Sequence, residues 1–302
     1  IQSNGYNNKE VSLLKAGDKD SEGNAIMHSF WAPEIHEIDG RLTILFMAGY
    51  GNTWSNGKSV YMQLKQDADG HDLDPADPDN WTVPTPIYRN DASLLNGNKQ
   101  LAATASGGVG MSLDMTYFQD ADGRSYYAWQ QLGATYIATM DPKDPAHVTS
   151  SPVRIVTPEY AWNAAIAEGP NVTMRDGKLY LMFSGSGVGK TYTTGLAVAD
   201  ASGTDLTDPA SWTVLNYPIQ KSGPFNGEMQ LGTGHGMWSE DEDGNQIYVF
   251  HAYATKNLGS VNAAGRDMFV RRVHWAADGM PVFDMSSSEE LASKTVSVTV
   301  KV

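Results

Sequence analysis

The sequence predicts an all-β protein, a propeller of small antiparallel sheets, on three observations. An Asp-Gly pair recurs between apolar-rich runs, at Asp39-Gly40, Asp122-Gly123, Asp176-Gly177 and Asp243-Gly244. Each pair has the chemistry of a β-hairpin tip. A second motif recurs as Asp77-Pro78-Asp79-Asn80-Trp81-Thr82, Asp144-Pro145-Ala146-His147-Val148-Thr149 and Asp208-Pro209-Ala210-Ser211-Trp212-Thr213. It reads as a turn leading to an outer strand. Apolar spacing at i, i+3, i+4 is nowhere sustained, so no helix is expected. Units of roughly 55 to 80 residues, each a small sheet, fit propeller blades. A β-sandwich with coincidental Asp-Gly turns is the alternative.

The strands can be justified in chain order. Those after the turns are "RLTILFMAG", "RSYYAWQQ", "KLYLMFSGS" and "NQIYVFHAY". They are β-branched and aromatic with few charges, as strands covered on both faces must be. A third strand follows in three units: "KSVYMQLKQ", "ATYIATM" and "TGLAVAD". Near the start, "EVSLLKAGD" (10–18) reads as the last strand of a blade whose beginning is absent. At the end, "SKTVSVTVKV" (293–302) alternates polar and β-branched residues and reads as one more strand. It either closes the incomplete blade or begins an appended β-sandwich module. The division is therefore a propeller over 1–285 and a C-terminal strand over 286–302.

Composition narrows the function. The 302 residues include 41% hydrophobic residues, enough for a sizeable core. The net charge of -14 disfavours nucleic acid and anionic membrane and suits a neutral partner such as a sugar. Cysteine is absent, which excludes disulfides and thiolate metal sites. No apolar run reaches the ~18 residues of a membrane span. The first residue is Ile1, which reads as a processed or truncated product.

Aligning the units on the Asp of Asp-Gly and counting back eight residues gives Trp31, Asp114, Glu168 and His235. The first strand of each blade lines a propeller's channel, so these four are expected to converge on one axial patch. Two carboxylates, a His and a Trp suit glycoside hydrolysis by inversion. That reaction needs a protonated acid, and a base about 6.5–9.5 Å away to activate water. Burial beside a second carboxylate raises an acid's pKa as required. The plainer readings are salt-bridged axial carboxylates, a structural His and a core Trp. The stretch "SEDEDG" (239–244) reads as a solvated turn, although oxygen-rich loops can hold Ca²⁺. The pairs His28/His36 and His235/His251 lack helical metal-ligand spacing, so zinc is not expected.

Four segments, "WAPEIHEIDGRLTILFMAG", "SLDMTYFQDADGRSYYAWQ", "EGPNVTMRDGKLYLMFSGS" and "GTGHGMWSEDEDGNQIYVFHA", resemble glycoside hydrolase family 43. The tail "RDMFVRRVHWAADGMPVF" (266–283) resembles the family's closing segment. The resemblance spans roughly residues 28–285. It implies a five-bladed β-propeller acting by inversion, mostly on α-L-arabinofuranosides and β-xylosides. By this likeness Glu168 is the general acid and Asp114 the carboxylate that raises its pKa and orients it. His235 matches the channel His that often binds Ca²⁺ or Na⁺, directly or through water. Trp31 and Phe30 match the sugar-binding rim, and Arg266 an Arg that reaches the sugar or the acid. No organic cofactor is expected.

One departure stands out. The family's base is an Asp at the mouth of the first blade, and residues 1–30 contain no hairpin of that kind. Asp18 and Asp20 lie there in the loop-like "AGDKDSEGN". The expectation is a first blade incomplete in this chain, with the base upstream of Ile1 on a missing N-terminal segment. The motifs look most like the arabinofuranosidase branch, with arabinose-containing plant polysaccharide as partner and a secreted or cell-surface bacterial setting. The alternatives are a β-xylosidase and a non-catalytic carbohydrate-binding propeller.

Overall fold

The computed structural model describes residues 12–52, 56–95, 111–254, 265–286 and 289. They form four sheets in sequence, the blades of a propeller, antiparallel except for the parallel pairing of Tyr88–Arg89 with Asp144–Val148 in the second. The first holds β1 (Ile26–Ile38), β2 (Arg41–Tyr50), β3 (Gly57–Gln63) and β4 (Thr85–Pro86). The second holds β5 (Tyr88–Arg89), β6 (Leu113–Gln119), β7 (Ser125–Gln131), β8 (Ala134–Asp141), β9 (Asp144–Val148) and β10 (Val153–Val156). The third holds β11 (Ala167–Arg175), β12 (Lys178–Gly185), β13 (Thr193–Asp200) and β14 (Thr213–Val214). The fourth holds β15 (Gly223–Phe225), β16 (Glu228–Glu240), β17 (Gln246–Tyr253) and β18 (Asp267–Arg272). A hairpin of β19 (His274–Trp275) and β20 (Pro281–Val282) follows. No α-helix occurs among the described residues.

The core lies between blades, as the aromatic middle strands demand. All seven residues of β7 are buried. Ile38, Leu45, Tyr127 and Trp129 join the first two blades, and Tyr126, Ile137, Leu181 and Phe183 join the next pair. Met182, Tyr248 and Phe283 join the last pair. The β19–β20 hairpin docks on Tyr180, whose hydroxyl donates to the Gly279 carbonyl at 2.8 Å. Arg175 lies over the Trp275 ring at 4.7 Å.

The Asp-Gly tips fall into two kinds. β1–β2 and β11–β12 turn in two residues, with both Asp and Gly left-handed (φ 52° and 67°, 48° and 77°). This is the twist-matched hairpin turn. β6–β7 and β16–β17 turn in five, Asp120–Arg124 and Asp241–Asn245. In each, the first Asp accepts the backbone N–H groups two and four residues on. Asp20–Asn24 and Asp67–His71 repeat the same bonding. Asp241 in the acidic run 239–244 and Asp67 in the exposed group Asp67, Asp69 and His71 thus spend their carboxylates on their own turns.

Two expectations change. Residues 12–18 form no strand: the chain turns at Gly17 (φ 99°) and again at Asp20–Asn24, while Leu13 and Leu14 pack on the first blade. Beyond the four blades the described residues add only the two-stranded β19–β20 sheet, in keeping with an incomplete fifth blade. Of the three Asp-Pro motifs, two are 3-10 turns capped by Asp77 and Asp208, but Asp144-Pro145 lies within the outer strand β9. The strand expected over 293–302 lies outside the described residues. Asp120 is buried and also accepts Arg124 Nε at 2.7 Å and the Tyr126 hydroxyl at 3.1 Å. Asp120→Ala is expected to lower the unfolding free energy by about 3 kcal/mol, measured by urea denaturation.

Candidate active site

The inner strands β1, β6, β11 and β16 carry the same irregularity at their mouths. Pairing steps by three on the inner strand and two on its neighbour: Trp31 to Glu34 against Met47 to Leu45, and Leu113 to Thr116 against Gln130 to Ala128. The other two run Glu168 to Asn171 against Ser184 to Met182, and Gly234 to Met237 against His251 to Val249. Each is a β-bulge, and its second residue is left-handed: Ala32 (φ 49°), Asp114 (56°), Gly169 (59°) and His235 (48°). The eight-residue count therefore slips by one between blades, because the five-residue turns are longer. Trp31 and Glu168 precede the kink, whereas Asp114 and His235 occupy it.

Three of the four expected residues meet. The backbone N–H of Gly169 donates to Asp114 Oδ2 at 3.0 Å, so Asp114 grips the peptide next to Glu168. Asp114 Oδ1 lies 3.9 Å from His235 Nε2. The backbone N–H of His235 donates to Ser184 Oγ at 2.6 Å, tying β16 to β12. Glycines make this closeness possible. A Cβ on Gly169 would stand 3.4 Å from the His235 ring. On Gly234 it would lie 2.3 Å from Tyr192, and on Gly236 2.1 Å from Tyr248. That is the steric content of Gly-Thr-Gly-His-Gly. Trp31 and Phe30 are exposed, 44% and 38%.

Several participants were not anticipated. Tyr192 is buried and donates its hydroxyl to Glu168 Oε1 at 2.7 Å. Its ring stacks on His251 at 5.6 Å and 7°. Arg266, expected at the sugar or the acid, pairs Nη1 with His251 Nε2 at 2.8 Å. Asn171 Nδ2 donates to Glu34 Oε1 at 3.2 Å and its Oδ1 accepts the Trp238 backbone N–H at 2.9 Å, linking three inner strands. Glu34 also pairs with His36 at 2.8 Å. Asn171 lies three residues after Glu168, and Glu34 three after Trp31; that shared offset was the available signal. Tyr192 and His251 lie on neighbouring strands or loops, which a count along inner strands does not reach.

Burial sets the electrostatics. Glu168 is pushed up to about 7 by burial and by the Asp114 charge, against the Tyr192 hydroxyl, His235 and Arg266. Asp114 is raised to about 7 by burial, with the Gly169 N–H opposing and Glu34 adding. The Asp114 charge disfavours ionisation of Glu168, which ties the two titrations together. Burial also lowers His235. Burial, Arg266 and His235 lower His251 to about 3, so His251 is neutral.

A hard cation prefers six to eight oxygens. Beside His235 the described residues bring one carboxylate oxygen and no set of three carboxylate or His donors. They do not fit a protein-built Ca²⁺ cage. Asp20, one candidate base, is consumed by its turn and by the Tyr50 hydroxyl at 2.9 Å, and Asp18 accepts the Lys15 N–H.

The sequence profile of glycosyl hydrolases family 43 matches residues 4–281. The chain belongs to glycoside hydrolase family 43. This family member is 29% identical over 266 residues to an extracellular exo-α-(1→5)-L-arabinofuranosidase of Streptomyces avermitilis, covering 84% of this chain and 49% of that protein. It is 29% identical over 267 residues to α-L-arabinofuranosidase 43 of Humicola insolens, covering 84% and 49%. The chain thus spans about half the length of these two relatives. Among solved structures, an α-L-arabinofuranosidase from Lactobacillus brevis matches with a TM-score of 0.67 and 26% identity, over 86% of this chain and 80% of that one. A thermostable family-43 glycoside hydrolase matches in fold, with a TM-score of 0.64, 19% identity, and coverage of 89% and 80%.

The raised carboxylates of this family 43 chain have a thermodynamic consequence. The folded chain holds their protons to higher pH than the unfolded chain does. Their contribution to stability is present at low pH and is lost as pH rises from about 4.5 through about 7. Unfolding free energy should fall over that window by up to about 1.4 kcal/mol per pH unit for each proton retained. Denaturation across pH checks this, and Glu168→Gln should flatten part of the slope.

Proposed function

We propose that the chain is an inverting, exo-acting α-L-arabinofuranosidase that releases arabinose from plant polysaccharide side chains or arabino-oligosaccharides. The observation that carries it is the axial pair: a buried Glu168, its pKa raised to about 7, whose neighbouring peptide is gripped by Asp114. The relatives named for arabinofuranosidase activity supply the substrate class. One of them is named as extracellular, which supports action outside the cell. No helix among the described residues is long and apolar enough to cross a membrane.

In this mechanism Glu168 gives its proton to the glycosidic oxygen as the bond from that oxygen to the anomeric carbon breaks. Water attacks the opposite face and passes its proton to a carboxylate base. Asp114 orients Glu168 and keeps it protonated near neutral pH. The base is assigned to none of the described residues. That point favours the second reading, a carbohydrate-binding propeller, which would bind arabino-oligosaccharides and release nothing.

Glu168→Gln is expected to lower kcat on arabino-oligosaccharides about 10²- to 10⁴-fold and to spare nitrophenyl arabinofuranoside far more, because an activated leaving group needs no proton. Near-normal cleavage of the oligosaccharide by this variant would remove Glu168 as the acid. Sugar binding without product from the unaltered protein would establish the binding reading. Asp114→Asn takes away the charge that raises Glu168, so the basic limb of the kcat/KM profile should move to lower pH. NMR of the first-formed sugar should show the β-anomer; the α-anomer would exclude inversion.

A further inference from the structure

We propose that Tyr192 is a positioning residue for the acid: it holds Oε1 of Glu168 so that Oε2 carries the proton toward the leaving oxygen, with His251 and Arg266 bracing it from behind. The proposal rests on Glu168 being the acid. Tyr192 is fully buried, and its hydroxyl donates to Oε1 at 2.7 Å. Burial and the nearby Glu168 and Asp114 charges hold its phenol well above the ordinary value, so it remains a donor.

The ring has little freedom. Gly234 lies against it so closely that a Cβ there would fall 2.3 Å from the ring, and the His251 imidazole stacks on it nearly parallel. His251 is neutral, so Nε2 accepts from Arg266 Nη1 and the ring proton sits on Nδ1. Arg266 thereby fixes the tautomer and the plane on which Tyr192 rests. The chemical effect follows from donor and acceptor roles. A carboxyl oxygen that accepts a phenol O–H is the poorer seat for the acid's own proton, so that proton goes to the other oxygen. Donation then needs no rotation of the carboxyl group. Asp114 on β6, His235 on β16 and Arg266 before β18 act on Glu168 through space, whereas Tyr192 bonds to it.

The test compares Tyr192→Phe with the unaltered protein on an arabino-oligosaccharide and on nitrophenyl arabinofuranoside. Expected is a fall in kcat of about tenfold or more on the oligosaccharide, KM within about twofold, and a much smaller change on the nitrophenyl substrate. The basic limb of kcat/KM should move up by about one pH unit, since the ionised acid loses a hydrogen bond. Equal losses on both substrates, or a loss carried by KM, would overturn the proposal. If the Phe variant does not fold, 3-fluorotyrosine at position 192 keeps the packing and strengthens the donor. It should move the limb to lower pH, and an unmoved limb overturns the proposal. Failure of the acid assignment looks different: Glu168→Gln would then cleave the oligosaccharide at a near-normal rate, whatever Tyr192 does.

Discussion

The left-handed kink at the mouth of each inner strand is the constraint on which the site depends. A regular strand alternates its side chains between the two faces of its blade and sends none along the axis. The extra residue at Ala32, Asp114, Gly169 and His235 breaks that alternation and re-aims the chain toward the channel. Three of the four are not glycine, so the conformation carries strain on the order of 1 kcal/mol or more each. The strand pairs on either side of each bulge hold it in place.

The kink works because the blades can approach one another. Glycines stand where β16 passes Tyr192 and Tyr248, and where β11 passes His235. With the backbones this close, Asp114 reaches a peptide N–H on the next blade and Asn171 spans three strands. Closeness also excludes water, and exclusion of water sets the protonation. The same burial raises Glu168 and Asp114 and lowers His235 and His251. Stability at neutral pH is given up at these buried carboxylates.

Much of this was legible in the sequence. The Asp-Gly tips and the aromatic strands after them located all four blades, since turn chemistry and two-sided burial are local properties. Glu168, Asp114 and His235 followed from one rule of position and from family likeness. The rule slipped by one residue because it measured from the turns, and a two-residue tip and a five-residue tip look alike when only Asp-Gly is counted. Tyr192 was not legible: its role comes from a loop beside β13 folding over β11, and no spacing along either strand encodes that. Arg266 was expected by likeness at the sugar or the acid, and its pairing with His251 on a neighbouring strand is visible only in three dimensions.

The repeated bulge also says something about how such a protein can change. Each blade offers two adjacent addresses at its mouth, one before the kink and one on it. The second blade uses only the later address, with Leu113 silent before Asp114, and the third uses only the earlier, with Gly169 silent after Glu168. The fourth pairs a silent Gly234 with His235, and the first pairs Trp31 with a silent Ala32. A duplicated unit therefore delivers more places than the chemistry fills. Only Leu113 and Ala32 leave room to vary, because a side chain at Gly234 would run into Tyr192 and one at Gly169 would press on His235.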